Sequence, residues 1–567
     1  MRTDLTPPAD DSRAEWPLRI FICAQVLLLA GSLFWSRQCF IHASYFILLL
    51  LFVATLHAGL YFRGAALNAV RKHLPGFIGA ALLAILVAVS VKPMLRVTSD
   101  ENSLISTSHA LAFDKKADMP LEAAWINGVF TPIIRDYDKR PLTFPFLTSL
   151  LHASSGARYE NGFAVNWLML FMLLIAVYWL SRQYLGVAPS LAMQLLVLAH
   201  PVVSQAATSA GMDLTAAAFL LLSLAGLKAF LNAPSAARLQ LFWFASLYYF
   251  NSRYESPLFV FLMVCGLAAG VKDLPWRRFR FNWLWLTPLF LMPQLWQRLS
   301  YALRSDAVTF DKTGFSLASV AANLKPAWAI LTRPDHYYPY ASELVVLGLA
   351  GFVVFIVRRF KDAETLNTQE KVFRATCLAV IGGFTLLMLS ANGSPVDSPA
   401  ISRYYLLPCA ALSLLAGNLL LGVLRKFNAS AFLLPIGAAV FLFHHPATIQ
   451  NNFLNAYPNP REFANTLRFL ETREPRRFLL VAAWAPHYVA LRYGSVNYEY
   501  ARANSEWLRG RLESREIPEV LVLQDIDALT GTPTPGTSLD AKVRLEKLHE
   551  FPNVPAYFSR ISRVVSF

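Results

Sequence analysis

Charge is what this sequence has least of. Only 15% of its 567 residues are Asp, Glu, Lys or Arg, against 55% hydrophobic, and the mean hydropathy is +0.42. Soluble domains average nearer ~25% charged, so an ordinary soluble enzyme of this length is excluded. Cysteine is scarce too. The five (Cys23, Cys39, Cys265, Cys377 and Cys409) lie in or beside apolar segments and none falls in the C-terminal tail, which argues against a disulfide framework or a cysteine zinc site. His444-His445 has no Cys, Asp or Glu at ligand spacing, so no metal is expected there. No long-period repeat is visible. No basic stripe coincides with a soluble stretch, so the net charge of +15 does not point to nucleic acid.

Apolar runs are what the chain has in quantity. Runs close to the ~20 residues that a bilayer core requires recur from Leu18 almost to Ala447. About thirteen spanning candidates centre on Leu27, Leu51, Ala84, Phe171, Leu196, Leu221, Phe244, Val264, Leu291, Val353, Leu387, Leu415 and Val440. The first run, Leu18 to Trp35, follows acids at Asp4, Asp10, Asp11 and Glu15 and has no small-residue cleavage site, so it reads as a retained helix. Arg253 and Glu255 interrupt the runs around Phe244 and Val264, which form either a short hairpin or one broken helix. The expected fold is a mainly α, polytopic helical bundle with a small C-terminal α/β domain.

The cations set the orientation. With a cytoplasmic N-terminus, the inward short loops hold Arg63, Arg71 and Lys72; Arg182, Lys228 and Arg238; Lys272, Arg277, Arg278 and Arg280; Arg358, Arg359 and Lys361; and Arg425 and Lys426. The opposite loops hold little beyond Arg37, Arg253 and Arg403. This is a positive-inside pattern. It places Met94 to Glu160, Ser305 to Tyr340 and everything after His445 on the outer, extracytoplasmic face of the membrane. The chain divides into two N-terminal helices (1–73), a membrane module (74–447, with its first outer loop at 94–160) and a soluble tail (448–567). In the tail, Pro460 to Glu471 has helical spacing, while Phe478 to Ala483 and Val520 to Gln524 read as buried strands.

Two elements of the first outer loop carry chemistry. Val97-Thr98-Ser99-Asp100-Glu101-Asn102 puts adjacent carboxylates where an apolar helix ends, either as solvated helix-start acids or as functional groups. Arg135-Asp136-Tyr137-Asp138-Lys139-Arg140-Pro141-Leu142 is a dense charge cluster running into Phe144-Pro145-Phe146. Cations at a membrane surface neutralise lipid phosphate, though an interfacial anchor would look the same.

Together, the acidic pair and the acid-Lys-x-Pro-Leu stretch resemble the first extracytoplasmic loop of the membrane-embedded GT-C glycosyltransferases, which include protein O-mannosyltransferases and lipid A aminoarabinose transferases. His200-Pro201 with Ser209-Ala210-Gly211-Met212-Asp213 resembles the family's next outer turn, and Ser402-Arg403-Tyr404-Tyr405-Leu406-Leu407-Pro408 its late helix start. The resemblance runs from about Lys92 to the C-terminus. Arg140 stands where the family often has the first Pro of Lys-Pro-Pro-Leu. The resemblance implies a polyprenyl-phosphate-linked sugar donor, a lipid, glycan or protein acceptor, and inversion at the anomeric carbon. It implies no certain cofactor, although members differ over a divalent metal ion.

On that reading Asp100 is the catalytic base with Glu101 its rival, and Lys139, Arg140, Arg253 and Arg403 bind the donor phosphate. Asp138, Asp213 and His109 line the cavity. Asp213 is equally a helix cap, and Arg253 equally a partner for Glu255. Tyr337, Tyr338 and Tyr340 read as an interfacial aromatic belt. Competing functions are a flippase or transporter of lipid-linked saccharides, a surface-polysaccharide polymerase or ligase, and a non-catalytic scaffold. A transporter should show repeats or paired broken helices about a midplane site, and a polymerase its large loop late in the chain. Here the charges cluster on one face.

Overall fold

The computed structural model describes residues 12–32, 34–271, 283–302, 316–332, 341–361, 366–390, 403–423, 459–540, 542–554 and 556–567. The segments expected around Val440, His444-His445, Arg425, Lys426 and Tyr337 to Tyr340 lie outside them.

The long apolar runs fold as helices because a helix satisfies its own backbone, which a bilayer cannot do. They are α1 (Ser12–Ser32), α2 (Arg37–Tyr61), α3 (Arg63–Lys72) and α4 (Leu74–Ser90), then α5 (Thr98–His109), continued by a π-turn over Ala110–Asp114. After a hairpin come α6 (Thr143–Ser155), α7 (Glu160–Arg182), α8 (Val187–Leu198), α9 (Pro201–Ala207), α10 (Asp213–Asn232), α11 (Ala236–Phe250) and α12 (Ser256–Gly270). The bundle closes with α13 (Thr287–Ala302), α14 (Leu317–Thr332), α15 (Ala341–Lys361), α16 (Thr368–Ser390) and α17 (Leu406–Val423).

Five helices among the described residues are long and apolar enough to span: α2, α7, α10, α16 and Arg403–Val423. The bent pairs α3–α4 (78°) and α8–α9 (76°) raise that to seven if each is one span. Shorter apolar stretches lie in α1, α12 and α15. The molecule is thus a polytopic helical membrane protein, and thirteen spans is more than these helices supply. The runs around Phe244 and Val264 are two separate helices, α11 and α12, joined by Asn251 to Glu255.

Helix α10 is the centre of the bundle. Its whole apolar window is buried, packed by α7, α11 and α16. Gly226 allows the closest approach, since a Cβ there would sit 2.8 Å from the Phe242 backbone.

The soluble part is one seven-stranded sheet in the order β2-β1-β4-β3-β5-β7-β6. Strands β1 (Met119–Ile126) and β2 (Val129–Asp136) come from the first outer loop, turning at Asn127 and Gly128, both with positive φ (50° and 76°) as a two-residue hairpin turn requires. The tail supplies α18 (Asn459–Leu470), β3 (Phe478–Val481), α19 (Ala485–Val489), β4 (Ser495–Val496), α20 (Tyr498–Ala503), α21 (Ser505–Glu513), β5 (Glu519–Asp527), β6 (Arg544–Val554) and β7 (Tyr557–Ser566). The elements expected at 460–471, 478–483 and 520–524 are α18, β3 and β5. Ala123 of β1 pairs with Ser495 of β4, so loop and tail share a sheet although 371 residues lie between the two positions along the chain.

Candidate active site

The acidic pair sits in the first turn of α5, where carboxylates complement the helix dipole. Its two members face different neighbours, because successive helical residues diverge by about 100°. Asp100 turns to cations. Its Oδ1 accepts from Arg140 Nε at 2.9 Å and Nη2 at 2.6 Å, and its Oδ2 accepts from Arg403 Nη2. Burial raises its proton affinity, but Arg403 and Arg140 outweigh that and hold the carboxyl well below the usual carboxylate range. Glu101 is almost fully buried and accepts three backbone N–H groups, from Arg96 (3.1 Å) and Val97 (3.0 Å) on Oε1 and from Ala210 (2.9 Å) on Oε2. It pins the start of α5 to the turn before α10. Burial pushes its proton affinity up, the backbone N–H groups opposing.

From Asp100 an ion-pair network runs across the bundle top. Arg140 Nη1 reaches both oxygens of Asp138 at 2.8 Å. Arg403, just before α17, also lies 3.7 Å from Asp213, the first residue of α10. Arg253 in the α11–α12 turn pairs with both Asp213 and Glu255. Tyr404 is shared by both guanidiniums, 5.0 Å from Arg253 and 5.2 Å from Arg403. Lys139, half-buried, has its proton affinity lowered by burial and by Arg140, with Asp138 and Asp100 opposing, so it sits within the same field. Four carboxylates (Asp100, Asp138, Asp213, Glu255) thus meet four cations (Lys139, Arg140, Arg253, Arg403).

Two side chains of α13 brace this network. Gln297 donates to the carbonyls of Asp138 (3.1 Å) and Arg140 (2.8 Å), and Gln294 to that of Arg253 (3.1 Å). Tyr254 is half-buried beside Asp138 and Arg140, and desolvation with the Asp138 charge keeps its hydroxyl protonated far above the ordinary range. Gln294, Gln297 and Tyr254 are not among the residues that the sequence points to, and Tyr404 enters there only as part of the late helix-start motif. A Gln in an apolar helix was the available signal.

Of the residues expected at the site, the network gathers Asp100, Asp138, Lys139, Arg140, Asp213, Arg253 and Arg403. It leaves out two. Glu101 is committed to backbone. His109 lies nine residues further along α5, roughly 13 Å away by helix rise, buried edge-on against His152 with ring centroids 4.5 Å apart. Burial and His152 push its proton affinity down, so it is a neutral packing group there. Among the described residues no three His, Cys, Asp or Glu side chains converge as metal ligands, and each carboxylate of the network already faces a guanidinium.

Two small cavities flank the network. One is bounded by Arg96, Gln205, Asp213 and Arg403, the other by Asp213, Tyr249, Arg253, Arg403 and Tyr404. The Nε of Arg403, buried between them, makes no hydrogen bond among the described residues. A buried donor of that kind is where an acceptor oxygen belongs.

No family model matches the sequence, and no curated protein sequence matches it. Solved structures do. ArnT of Cupriavidus metallidurans bound to undecaprenyl phosphate superposes with a TM-score of 0.51 at 12% identity, covering 86% of this chain and 97% of that one. The apo form of the same transferase gives 0.51 at 14%, covering 88% and 98%. The fold is that of ArnT. The apo oligosaccharyltransferase of Archaeoglobus fulgidus is also similar, with a TM-score of 0.44 at 11% identity over 83% of this chain and 75% of that one. The likeness to ArnT spans nearly its whole length.

Proposed function

We propose that this chain is a multi-pass inner-membrane glycosyltransferase that moves a sugar from a polyprenyl-phosphate-linked donor to an extracytoplasmic acceptor. The observation that carries the reading is Asp100 held between Arg140 and Arg403, guanidiniums brought from distant parts of the chain to one carboxylate. Guanidiniums that converge on one oxyanion suit a phosphate as well as a carboxylate, since each offers oxygens that a guanidinium fork recognises. The ArnT fold and its undecaprenyl phosphate complex support the same class of donor.

The chemistry follows from exchange of partners. A donor phosphodiester entering the network draws Arg140, Arg403 and Lys139 to its oxygens, with the spare Arg403 Nε as a ready donor. Asp100, relieved of part of that positive field, gains proton affinity when a base is needed. The acceptor hydroxyl or amine then attacks the anomeric carbon as its proton passes to Asp100. The bond from that carbon to phosphate oxygen breaks, and the polyprenyl phosphate leaves with the electron pair, its charge stabilised by the same cations. Each preorganised donor in such a site is worth ~3 kcal/mol. Attack from the face opposite the phosphate inverts the centre.

The test is lipid and glycan profiling of a deletion strain against one complemented with the wild-type chain. A polyprenyl-phosphate sugar should accumulate and one envelope modification should disappear. A strain with unchanged donor lipids and intact envelope glycans would remove the assignment.

A further inference from the structure

The sheet carries a crevice that the proposed transfer chemistry does not use. Strands β3 and β5 are parallel neighbours, Phe478 paired with Glu519 through Val481 with Val522, so their carboxyl ends open on the same side. In sheets of this kind ligands sit in the crevice beyond those ends. Here it is bordered by Trp484, His487 and Tyr488 after β3 and by Asp525 and Thr537 at the end of β5.

The lining is not that of a packing defect. Trp484 is 55% exposed, yet its ring is fixed in place, stacked on His487 with centroids 5.7 Å apart and planes 9° from parallel. His487 is itself held edge-on by Phe463 at 5.8 Å. A flat aromatic surface locked in one orientation loses little freedom on binding. Beside it, Asp525 is half-buried, its Oδ1 accepting from Ser559 at 3.3 Å. The Thr537 hydroxyl accepts the Asp525 N–H at 3.1 Å and donates to the Asp525 carbonyl at 3.2 Å, fixing that wall.

An indole face adjoining a carboxylate and a hydroxyl matches a pyranose, whose C–H face is apolar and whose rim is hydroxyl. We infer that this crevice binds a sugar unit of the acceptor, stacked on Trp484 with its hydroxyls on Asp525, whose backbone Thr537 holds in place. The acceptor is then a saccharide or glycolipid. Helix α19, which carries His487, packs directly on α5, the helix that begins with Asp100. An acceptor seated in the crevice is therefore tethered to the element bearing the proposed base. This inference rests on the transferase reading only for the word acceptor; the sugar site stands on its own geometry.

The test is saturation-transfer difference NMR on the full-length protein in nanodiscs, with methyl glucoside and glucosamine as sugar probes and a Ser/Thr-containing hexapeptide as the other class. Saturation should reach the ring C–H protons of at least one sugar. It should fall threefold or more in Trp484→Ala and Asp525→Asn, and be partly retained in Trp484→Phe, which keeps an aromatic face. Asp100→Asn should leave it unchanged, which separates this site from the transfer chemistry. Equal signals in wild type and Trp484→Ala, no signal from any sugar, or a signal from the hexapeptide alone would each overturn the inference.

Discussion

Asp100→Asn separates the two jobs of the charge network, because it should move binding and turnover in opposite directions. The substitution keeps the side chain's shape and removes its charge, so Arg140 and Arg403 each lose one partner. Breaking a fully buried pair this way costs about 3–5 kcal/mol. Here the loss should be smaller, near ~1–2 kcal/mol. Asp100 is 24% exposed, Arg140 keeps Asp138 at 2.8 Å, and Arg403 keeps Asp213 at 3.7 Å. The protein should therefore stay folded. With the competing carboxylate neutral, the two guanidiniums are freer to take a phosphate, and affinity for undecaprenyl phosphate should rise about fivefold, or ~1 kcal/mol. Turnover should fall by ~10²–10⁴ for loss of a general base, a barrier increase of about 3–5 kcal/mol. The assay is undecaprenyl phosphate binding and single-turnover sugar release on the same nanodisc preparation. Turnover within about threefold of wild type, in a folded variant, would refute Asp100 as the base. Weaker phosphate binding would refute the partner exchange.

The other expectations test its surroundings. Glu101→Gln removes one of two acceptor oxygens serving three backbone N–H groups, so it should lower Tm by several degrees while kcat per folded molecule stays within about threefold; a kcat loss matching that of Asp100→Asn would make Glu101 the base. His152 and His487 are pushed down to about 4 by burial from an ordinary value of 6.5. The folded state therefore binds fewer protons than the unfolded one between those values, and stability rises with pH across that window. Cooling of Tm on going from pH 7.5 to 5 should shrink in His152→Gln, and a pH-independent Tm would contradict the buried, neutral state. The charge bias of the short loops leads to the expectation that the tail is outside, so a phosphatase reporter fused after Phe567 should be active; an active cytoplasmic reporter at that position would invert the topology and the side on which the site opens.

How much of this was legible without coordinates varies with range. The cations and acids of the site announce themselves because charge in an apolar chain is conspicuous, and Asp100, Arg140, Asp213, Arg253 and Arg403 are each readable from their place at the end of an apolar run. Which of Asp100 and Glu101 faces the cations was not readable, since it depends on the rotation of α5, and that rotation is set by Ala210, more than a hundred residues away. The joint sheet was hidden for a similar reason. The β1 sequence Met-Pro-Leu-Glu-Ala-Ala-Trp-Ile has no clean alternation, and its neighbour β4 is only two residues long. Gln294 and Gln297 went unnoticed because amides in a spanning helix have no meaning until the carbonyls they serve are known.

The network also explains why the site needs the whole bundle. Its cations come from the first loop (Lys139, Arg140), the α11–α12 turn (Arg253) and the start of the last described bundle helix (Arg403), so none forms a phosphate cradle with its sequence neighbours alone. Alone, each positive group would be an uncompensated charge near a bilayer. The carboxylates of Asp100, Asp138, Asp213 and Glu255 compensate them, while Arg403 Nε makes no hydrogen bond among the described residues. A site built of bare cations would bind phosphate more tightly and hold the leaving polyprenyl phosphate too long. One built of matched pairs exchanges partners at small net change, which favours release. Neutralising Asp138 should therefore tighten product retention and slow multiple turnover while the first turnover proceeds, and equal slowing of both would show that Asp138 serves the chemistry itself.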